Sequence, residues 1–392
     1  MGVVARSHAT LFIVILLASG AALHAGCGTK GNDASPDGGD DAASPSADGG
    51  REPVDAGMVP GGPVDCKTDL DKDGLYKHLK CAPLYTDIAQ KTVTPAALPY
   101  TPGLPFWSDG AEKQRWLMLP DNTQIDTTDI DTWIWPVGTS AWKEFKLDGK
   151  RIETRVYKKR ANDWTFATYQ WAADESDAVK ITGGAQLSRG AGQEPYVIPS
   201  LNDCAMCHDG QKDKLLGLEA VNLASLGAVG LTLGALVAMN KLTKNPTQTA
   251  ITFPEDATGK AAAALGWLHV NCGVCHNEHA AAGGQSHLYL LTKPSLLFVG
   301  DGGAAPAVSS LPAWTTTVDQ QSDIALPSDA GPGNYVRIKR GSPAASLISV
   351  LAHARVPADG TPSDKTQMPP LVSRIVDPVG LQKLDDWITA LP

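Results

Sequence analysis

The chain contains the same five-residue pattern twice, and this pattern constrains the fold more than any other feature. Cys204-Ala-Met-Cys207-His208 and Cys272-Gly-Val-Cys275-His276 each place a histidine directly after two cysteines that are three residues apart. Thiols at this spacing lie on one side of a helical turn, where each can form a thioether with one vinyl group of a haem. The adjacent histidine can then bind the iron. The chain must therefore fold around two flat groups of haem size.

Two other uses of a C-x-x-C pair fit this sequence less well. Paired zinc knuckles usually lie about 15–20 residues apart, whereas a whole helical segment separates Cys207 from Cys272. A thioredoxin-like redox motif needs a βαβ setting, and the sequence predicts none around either pattern. We therefore interpret Cys204, Cys207, Cys272 and Cys275 as attachment points of two haem c groups, with His208 and His276 as axial ligands. The motifs indicate a dihaem cytochrome c.

The N-terminus predicts export from the cytoplasm. Arg6 and His8 precede an apolar run and then small residues up to Cys27, which is the layout of a secretory signal peptide over residues 1–27. Leu23-His-Ala-Gly-Cys27 resembles a bacterial lipobox and predicts lipidation of Cys27, although His24 replaces the usual leucine. Gly28 favours the outer membrane, by resemblance to Gram-negative sorting. The predicted location is periplasmic, as an outer-membrane lipoprotein or, alternatively, as a soluble protein.

The next segment, residues 28–65, predicts a disordered acidic tether. It consists mainly of Asp, Gly, Ser, Pro and Ala, so it cannot bury enough apolar surface to order itself. About 325 residues follow, which is enough for two domains. The formal charge of −9 argues against a nucleic-acid partner and is compatible with docking to a basic periplasmic redox partner.

Two cysteines remain near the start of the folded part. In an oxidising periplasm, Cys66 and Cys81 predict a disulfide. Between them, the run from Asp69 to Gly74 resembles the opening of an EF-hand loop. The twelfth position, which should be glutamate in a calcium site, is Lys80. A plain solvated turn is the preferred interpretation, and a calcium site with other ligands is the alternative.

Residues 66–200 predict a β-rich, sandwich-like domain. Alternating segments flank Asp148-Gly149 and indicate a hairpin. A further strand is expected over Trp164–Trp171. The many tryptophans of this region are expected in the core, and a sugar-binding or aromatic-binding face is the sharper alternative.

Residues 201–260 and 261–392 predict two mainly α-helical haem modules, so the expected fold is α+β and multidomain. Leu215–Met239 predicts two short helices broken near 227–230, and Asp256–Asn271 predicts a helix that runs into the second motif. A Gly/Pro/Ser-rich insert over residues 293–334, Met368-Pro-Pro and a helix over Pro378–Leu391 follow. This order is that of a class I cytochrome c domain.

Several segments resemble a family of bacterial dihaem c-type cytochromes, which are largely uncharacterised and often predicted lipoproteins. The resemblance covers the chain from about residue 80 to the end, apart from the insert. It is carried by Pro105-Phe-Trp-Ser-Asp-Gly-Ala-Glu-Lys113, Arg115-Trp-Leu-Met-Leu-Pro120, Pro136-Val-Gly-Thr139, Ile152-Glu-Thr-Arg155, Tyr169-Gln-Trp171, both haem motifs with their preceding residues, Gly341-Ser-Pro and Met368-Pro-Pro. The resemblance implies electron transfer and no settled substrate.

The sixth iron ligands separate the possible functions, because a Met/His pair suits electron transfer and an open position suits catalysis or sensing. For the second haem the sequence favours Met368. His279, His287 and His353 are weaker rivals.

For the first haem the candidates are Met239, then Met118 or His269, and an open iron. Four arginines could pair with haem propionates, namely Arg337, Arg340, Arg355 and Arg374. The leading prediction is a periplasmic, membrane-tethered electron-transfer protein. A peroxidase-like enzyme or a haem-based sensor with an open first haem is the alternative, and the oligomeric state is left open.

Overall fold

A computed structural model describes residues 64–300, 303–322, 336–356, 367–370 and 372–392. The predictions for the signal peptide, for Cys27 and for nearly all of the tether lie outside these residues. The described residues belong to one compact unit, in which segments 66–200, 201–260 and 261–392 share a hydrophobic core. Within these ranges no helix is long and apolar enough to cross a bilayer.

An antiparallel sheet of seven strands dominates the first half of the described chain. The strands are β1 Tyr85–Asp87, β2 Thr92–Val93, β3 Leu98–Thr101, β4 Glu112–Met118, β5 Ser140–Leu147, β6 Lys150–Lys159, β7 Trp164–Trp171, β8 Ala178–Ile181, β9 Ala185–Leu187, β10 Tyr196–Ile198 and β11 Val229–Gly230. The large sheet has the order β11-β3-β4-β5-β6-β7-β8, and β1-β2 and β9-β10 form separate pairs. One large sheet thus stands where the sequence predicted two facing sheets.

The helices follow the sheet and confirm a mixed α+β architecture. They are α1 Leu201–His208, α2 Ala220–Ala224, α3 Leu233–Ala238, α4 Ala261–Asn271, α5 Ala281–Ser286, α6 Pro294–Leu297, α7 Pro312–Thr315, α8 Leu347–His353 and α9 Pro378–Ala390. Short 3₁₀ helices cover Leu79–Cys81, Val308–Ser310 and Pro343–Ala345. Short helices α6 and α7 lie in the segment that the sequence marked as an insert.

The predicted hairpin is confirmed between β5 and β6. Asp148 and Gly149 have φ values of 49° and 76°, the left-handed pair that joins two strands tightly with the twist of the sheet. Strand β7 has the predicted bounds. These elements were predictable because their signals are local.

The two faces of the sheet carry different cores, because side chains alternate along each strand. Trp116, Trp142 and Val156 pack with residues 75–97 in one core. Leu117 and Tyr157 pack on the opposite face, with residues of the helical half. Layers on both faces take the place of a second sheet, and they bury most of the tryptophans in the two cores.

One helical prediction needed correction and another was confirmed. Helix α4 begins at Ala261 and not at Asp256, because residues 256–259 form a turn in which Gly259 has a φ of 64° and donates to the carbonyl of Asp256. Helices α2 and α3 are separate as predicted, but the break contains strand β11, which pairs with β3. A two-residue edge strand has no periodicity that a sequence could reveal.

Helices α4 and α9 pack directly on each other. Trp267 of α4 donates its indole N–H to Asp377, the N-cap of α9, at 2.8 Å. Trp387 of α9 is fully buried and donates to Asp256 at 2.9 Å. Gly380 allows the close approach, because a Cβ there would lie 1.8 Å from Trp267 Nε1.

A disulfide ties down the start of the described chain. Cys66 and Cys81 are bonded with a Cα–Cα distance of 5.2 Å, within the usual range. In the loop between them, Asp69 accepts from the imidazole of His78 at 2.8 Å, and Asp71 pairs with Lys180. These carboxylates therefore already have protein partners, which supports the plain turn over the calcium alternative.

Candidate haem attachment sites

The first motif lies on a well-capped helix. Ser200 accepts from the backbone N–H of Asp203, and Asp203 accepts from the N–H of Ser200, which completes a capping box. Helix α1 then runs through Cys204 and Cys207 and ends at His208. The N-cap Ser200 lies four residues before Cys204, so Cys204, Cys207 and His208 all fall within the helix.

His208 has the hydrogen bonding of an iron-binding histidine. Its Nδ1 donates to the carbonyl of Lys214 at 2.5 Å, which leaves Nε2 as the free lone pair, as in metal-ligating histidines. Burial and the nearby charge of Lys143 lower the pKa of His208 to about 3. Tyr157 stacks on the ring at 4.1 Å. The imidazole is therefore neutral and held in one orientation.

The second motif follows the end of α4 as one more turn. Cys272 caps the helix, and its carbonyl accepts from the N–H groups of Cys275 and His276. A Cβ at Gly273 would lie 2.5 Å from the His269 carbonyl and 2.8 Å from the backbone of Leu291, so only glycine fits. His276 Nδ1 faces Ser286 Oγ at 3.4 Å, and burial lowers the pKa of His276. This histidine is also kept neutral.

Met368 and the second motif line the same apolar pocket. The space between its walls is about 1190 Å³ when the open mouth is included. The lining residues are Trp107, Trp267, Asn271, Cys272, Cys275, His276, Ser286, Leu288, Leu290, Ser322, Arg337, Leu347, Ile348, Leu351, Ala352, Arg355, Met368, Pro369, Pro370, Asp377 and Leu381. A haem bound here would find two thiols, an imidazole and a thioether in one apolar cavity, so the residues fit this group.

Two of the four predicted propionate partners lie in this pocket. Arg337 donates to the carbonyls of Ser286, His287 and Thr316. Arg355 donates to the Ala352 carbonyl at 2.9 Å, and its Nε is buried with no partner among the described residues. Arg340 pairs with Asp319 at the surface. Arg374 is also outside the set that lines the pocket.

The two motifs lie against each other. A Cβ at Gly210 would be 2.5 Å from the carbonyl of Val274, inside the second motif. The thiols of Cys207 and Cys275 interact, and this contact raises the pKa of Cys207 and lowers that of Cys275. The chain thus places its two attachment segments side by side, although 64 residues lie between Cys207 and Cys272.

The structure argues against two of the candidates for the sixth ligand of the first haem. His269 accepts from the N–H of Thr292 on Nδ1 at 3.0 Å and directs Nε2 at Glu219, 3.6 Å away, so neither nitrogen is free for iron. Met118 packs with the core on the opposite face of the sheet from Tyr157 and His208. Strand parity and tertiary packing decide where each side chain points, and both argue against these two alternatives.

Met239 and the rival histidines have more exposed positions. Met239 ends α3 with 41% of its surface exposed, and its assignment stays a prediction. His353 bonds to Asp385 at 2.8 Å, and His279 lies beside Glu278 at the surface. His287 is exposed. None of the three histidines is among the residues that line the Met368 pocket.

Sequence reasoning missed several residues of these sites. Tyr157 and Lys143 come from the sheet, Trp107 comes from the loop before β4, and Ser286 is the last residue of helix α5. Strand alternation could have placed Lys143, Arg155 and Tyr157 on one face of β5 and β6. It could not have shown that this face is the one covered by the first motif.

Within the described ranges, no three His, Cys, Asp or Glu side chains converge to hold a metal ion. The four ligands of a zinc knuckle are therefore not assembled there, whereas a haem iron needs one histidine and one further ligand. The chain matches no protein-family model, curated protein or solved structure.

Proposed function

We propose that this protein is a dihaem c-type cytochrome that transfers electrons. The observation that carries the proposal is the pocket in which Cys272, Cys275 and His276 meet Met368, which is 92 residues further along the chain than His276. A thioether and an imidazole in one apolar cavity are the ligand pair of electron-transfer haems. The family resemblance and the paired motifs support the same function.

A haem c at each motif supplies reversible one-electron chemistry at its iron. The chain's own contribution is to hold, orient and shield. Lys214 and Ser286 orient the two histidines, Gly210 brings the motifs together, and α8 and α9 line the apolar pocket. Low polarity around the second site favours the form with less net charge and so raises the potential.

The region from Ala261 to the C-terminus is proposed to be the cytochrome c-like part of the fold. Helix α4 delivers the second motif, Met368 follows on a Pro-rich turn, and α9 returns to pack on α4. This order of elements supports the proposal of a class I cytochrome c domain. Its β-rich partner layer contributes Trp107 to the pocket wall.

One observation favours the alternative for the first haem. His208 has the orientation of an axial ligand, yet Met118 and His269 are turned away and Met239 lies at the surface. An open first iron would suit a peroxidase-like enzyme or a sensor. The two functions differ in one measurable property, namely whether the first iron accepts an external ligand.

The test compares Met368→Leu with Met118→Leu in the holoprotein. Both changes replace a methionine by leucine, but Met118 is on the far face of the sheet. We expect Met368→Leu to lower one of the two midpoint potentials and to open that haem to carbon monoxide in the reduced state. Met118→Leu should change neither. Unchanged potentials and no carbon monoxide binding in Met368→Leu would refute the ligand assignment.

Carbon monoxide on the wild type separates the two functions. No binding to either reduced haem supports an electron carrier with two closed sites. Binding to one haem supports an open first site, and Met239→Leu then shows whether Met239 holds that iron weakly. The proposed location, a periplasmic lipoprotein tethered through Cys27, is tested by fractionation of cells that express Cys27→Ser, which should release the protein from the membrane.

A further inference from the structure

A row of three cationic side chains crosses the middle of the large sheet. Arg115, Lys143 and Arg155 are direct register partners on β4, β5 and β6. They project to the same face as Leu117 and Tyr157, because they share the parity of those residues. We call these three residues the cationic row. Tyr100 of β3 extends it on the side of Arg115, since Pro99 pairs with Trp116.

The cationic row is buried and short of negative charge. Arg115 is 8% exposed and has no hydrogen-bond or ion-pair partner among the described residues. Lys143 donates to the Leu216 carbonyl at 3.3 Å, and Arg155 forms two bonds to Glu153. Lys113, whose amine donates to the Phe106 carbonyl, adds a fourth basic side chain on the same face. In the described part of the chain, Glu153 is the one carboxylate bonded to any of the four.

Buried hydroxyl groups lie next to the row. Tyr100 is 4% exposed and Tyr157 is 5% exposed. The phenol oxygen of Tyr100 is buried without a hydrogen bond in the described structure, and that of Tyr157 faces the thiol of Cys204. Burial and the charges of Arg115 and Arg155 lower the pKa of Lys143 to about 7. Native proteins rarely leave so many buried polar groups unsatisfied. Such a group of buried polar side chains is suited to bind anionic oxygen atoms.

The row lies against the first motif. Tyr157 stacks on His208, and the charges of Lys143 and Arg155 act on the thiols of Cys204 and Cys207. Arg340 and Arg374, two of the arginines that the sequence suggested as propionate partners, are in the C-terminal segment and outside this face. The sheet therefore supplies cationic side chains beside the first motif, as Arg337 and Arg355 do beside the second motif.

We propose that the cationic row, with Tyr100 and Tyr157, is a binding site for a ligand that carries two carboxylate or equivalent oxyanion groups beside the first motif. This inference deepens the proposed function and rests on it for one of two sources. The first source is the pair of propionates of the haem attached at Cys204 and Cys207. The second is a free dicarboxylate or other small oxyanion that binds at the same cations.

The test uses the holoprotein with Arg115→Gln, Lys143→Gln and a matched control, Lys158→Gln. Lys158 is on β6, but it has the parity of Val156 and so projects to the other face. Covalent haem is first counted in the wild type. A wild type without two haems would refute the proposed function, and the row would then be tested with oxalate alone.

If the haem propionates bind at the cationic row, Arg115→Gln and Lys143→Gln should each lower the midpoint potential of one haem and leave that of the other unchanged. The reason is that loss of a nearby positive charge favours the oxidised iron. Arg115→Lys should restore the potential. If a free oxyanion binds at the cationic row, the wild type should bind oxalate saturably, and the affinity of Arg115→Gln for oxalate should be at least tenfold weaker. Potentials and oxalate binding that match the Lys158→Gln control in both row variants would overturn the proposal.

Discussion

Gly380→Ala tests the contact between α4 and α9 on which the second site depends. Gly380 is in the first turn of α9, where its N–H donates to the N-cap Asp377 at 2.9 Å. The new methyl group would lie 1.8 Å from Trp267 Nε1 and 2.2 Å from Asp377 Oδ2. These are the two atoms that form the hydrogen bond between the helices. The indole or the carboxylate must therefore move, and both line the pocket.

The cost follows from the contacts that are lost. A hydrogen bond to a charged group contributes about 1.5–3 kcal/mol, and a helix N-cap about 1 kcal/mol. The higher helix propensity of alanine returns up to about 1 kcal/mol. We expect the free energy of unfolding to fall by about 1.5–3 kcal/mol, measured by urea denaturation of the holoprotein.

Gly284→Ala is the matched control. Gly284 is in helix α5, and a Cβ there would meet no atom within 4 Å. Alanine at this position should leave stability unchanged or raise it by up to about 1 kcal/mol. If Gly380→Ala is as stable as Gly284→Ala, the close packing of the two helices, and the account of the pocket built on it, is wrong.

Three further changes have defined outcomes. Replacing Cys66 and Cys81 by serine should lower the free energy of unfolding by about 3 kcal/mol, because the disulfide restricts a loop of this size in the unfolded chain. The denaturation midpoint should fall, and reduction of the wild type should lower it equally. Burial raises the pKa of Glu219, but the contacts with His269 and two backbone N–H groups hold it below its usual value of 4.5. Its ionised form therefore stabilises the fold above about pH 4.5, and this contribution is lost on acidification. Glu219→Gln should reduce the free energy of unfolding by about 1–2 kcal/mol at pH 7, and its stability should depend less on pH in acid than that of the wild type. An equal pH dependence in the variant and the wild type would exclude this role. Gly273→Ala should reduce covalent haem at the second motif, because no space exists for its methyl group, and full haem content by absorbance would contradict that.

The sequence could predict features whose signals are local. The turn at Asp148-Gly149, strand β7 and the terminal helix α9 each depend on a few adjacent residues, and the structure has them where expected. Met368 was chosen from its order along the chain, and the structure places it in the pocket of the second motif.

Other features depend on which surfaces meet, and no short stretch encodes that. Parity alone puts Met118 on one face and Arg115 on the other, but only the packed structure shows that the first motif covers the face of Arg115. The same holds for His269, whose two nitrogens are occupied by Thr292 and Glu219. Strand β11 was missed because two residues carry no detectable periodicity.

The central claim is that both motifs carry covalent haem, and the mass of the intact denatured protein tests it most directly. The protein is expressed with a c-type maturation system as the wild type and as two double variants, Cys204→Ser/Cys207→Ser and Cys272→Ser/Cys275→Ser. We predict that the wild type retains two haems after denaturation and that each double variant retains one. A wild type whose mass equals that of the polypeptide alone would contradict the account.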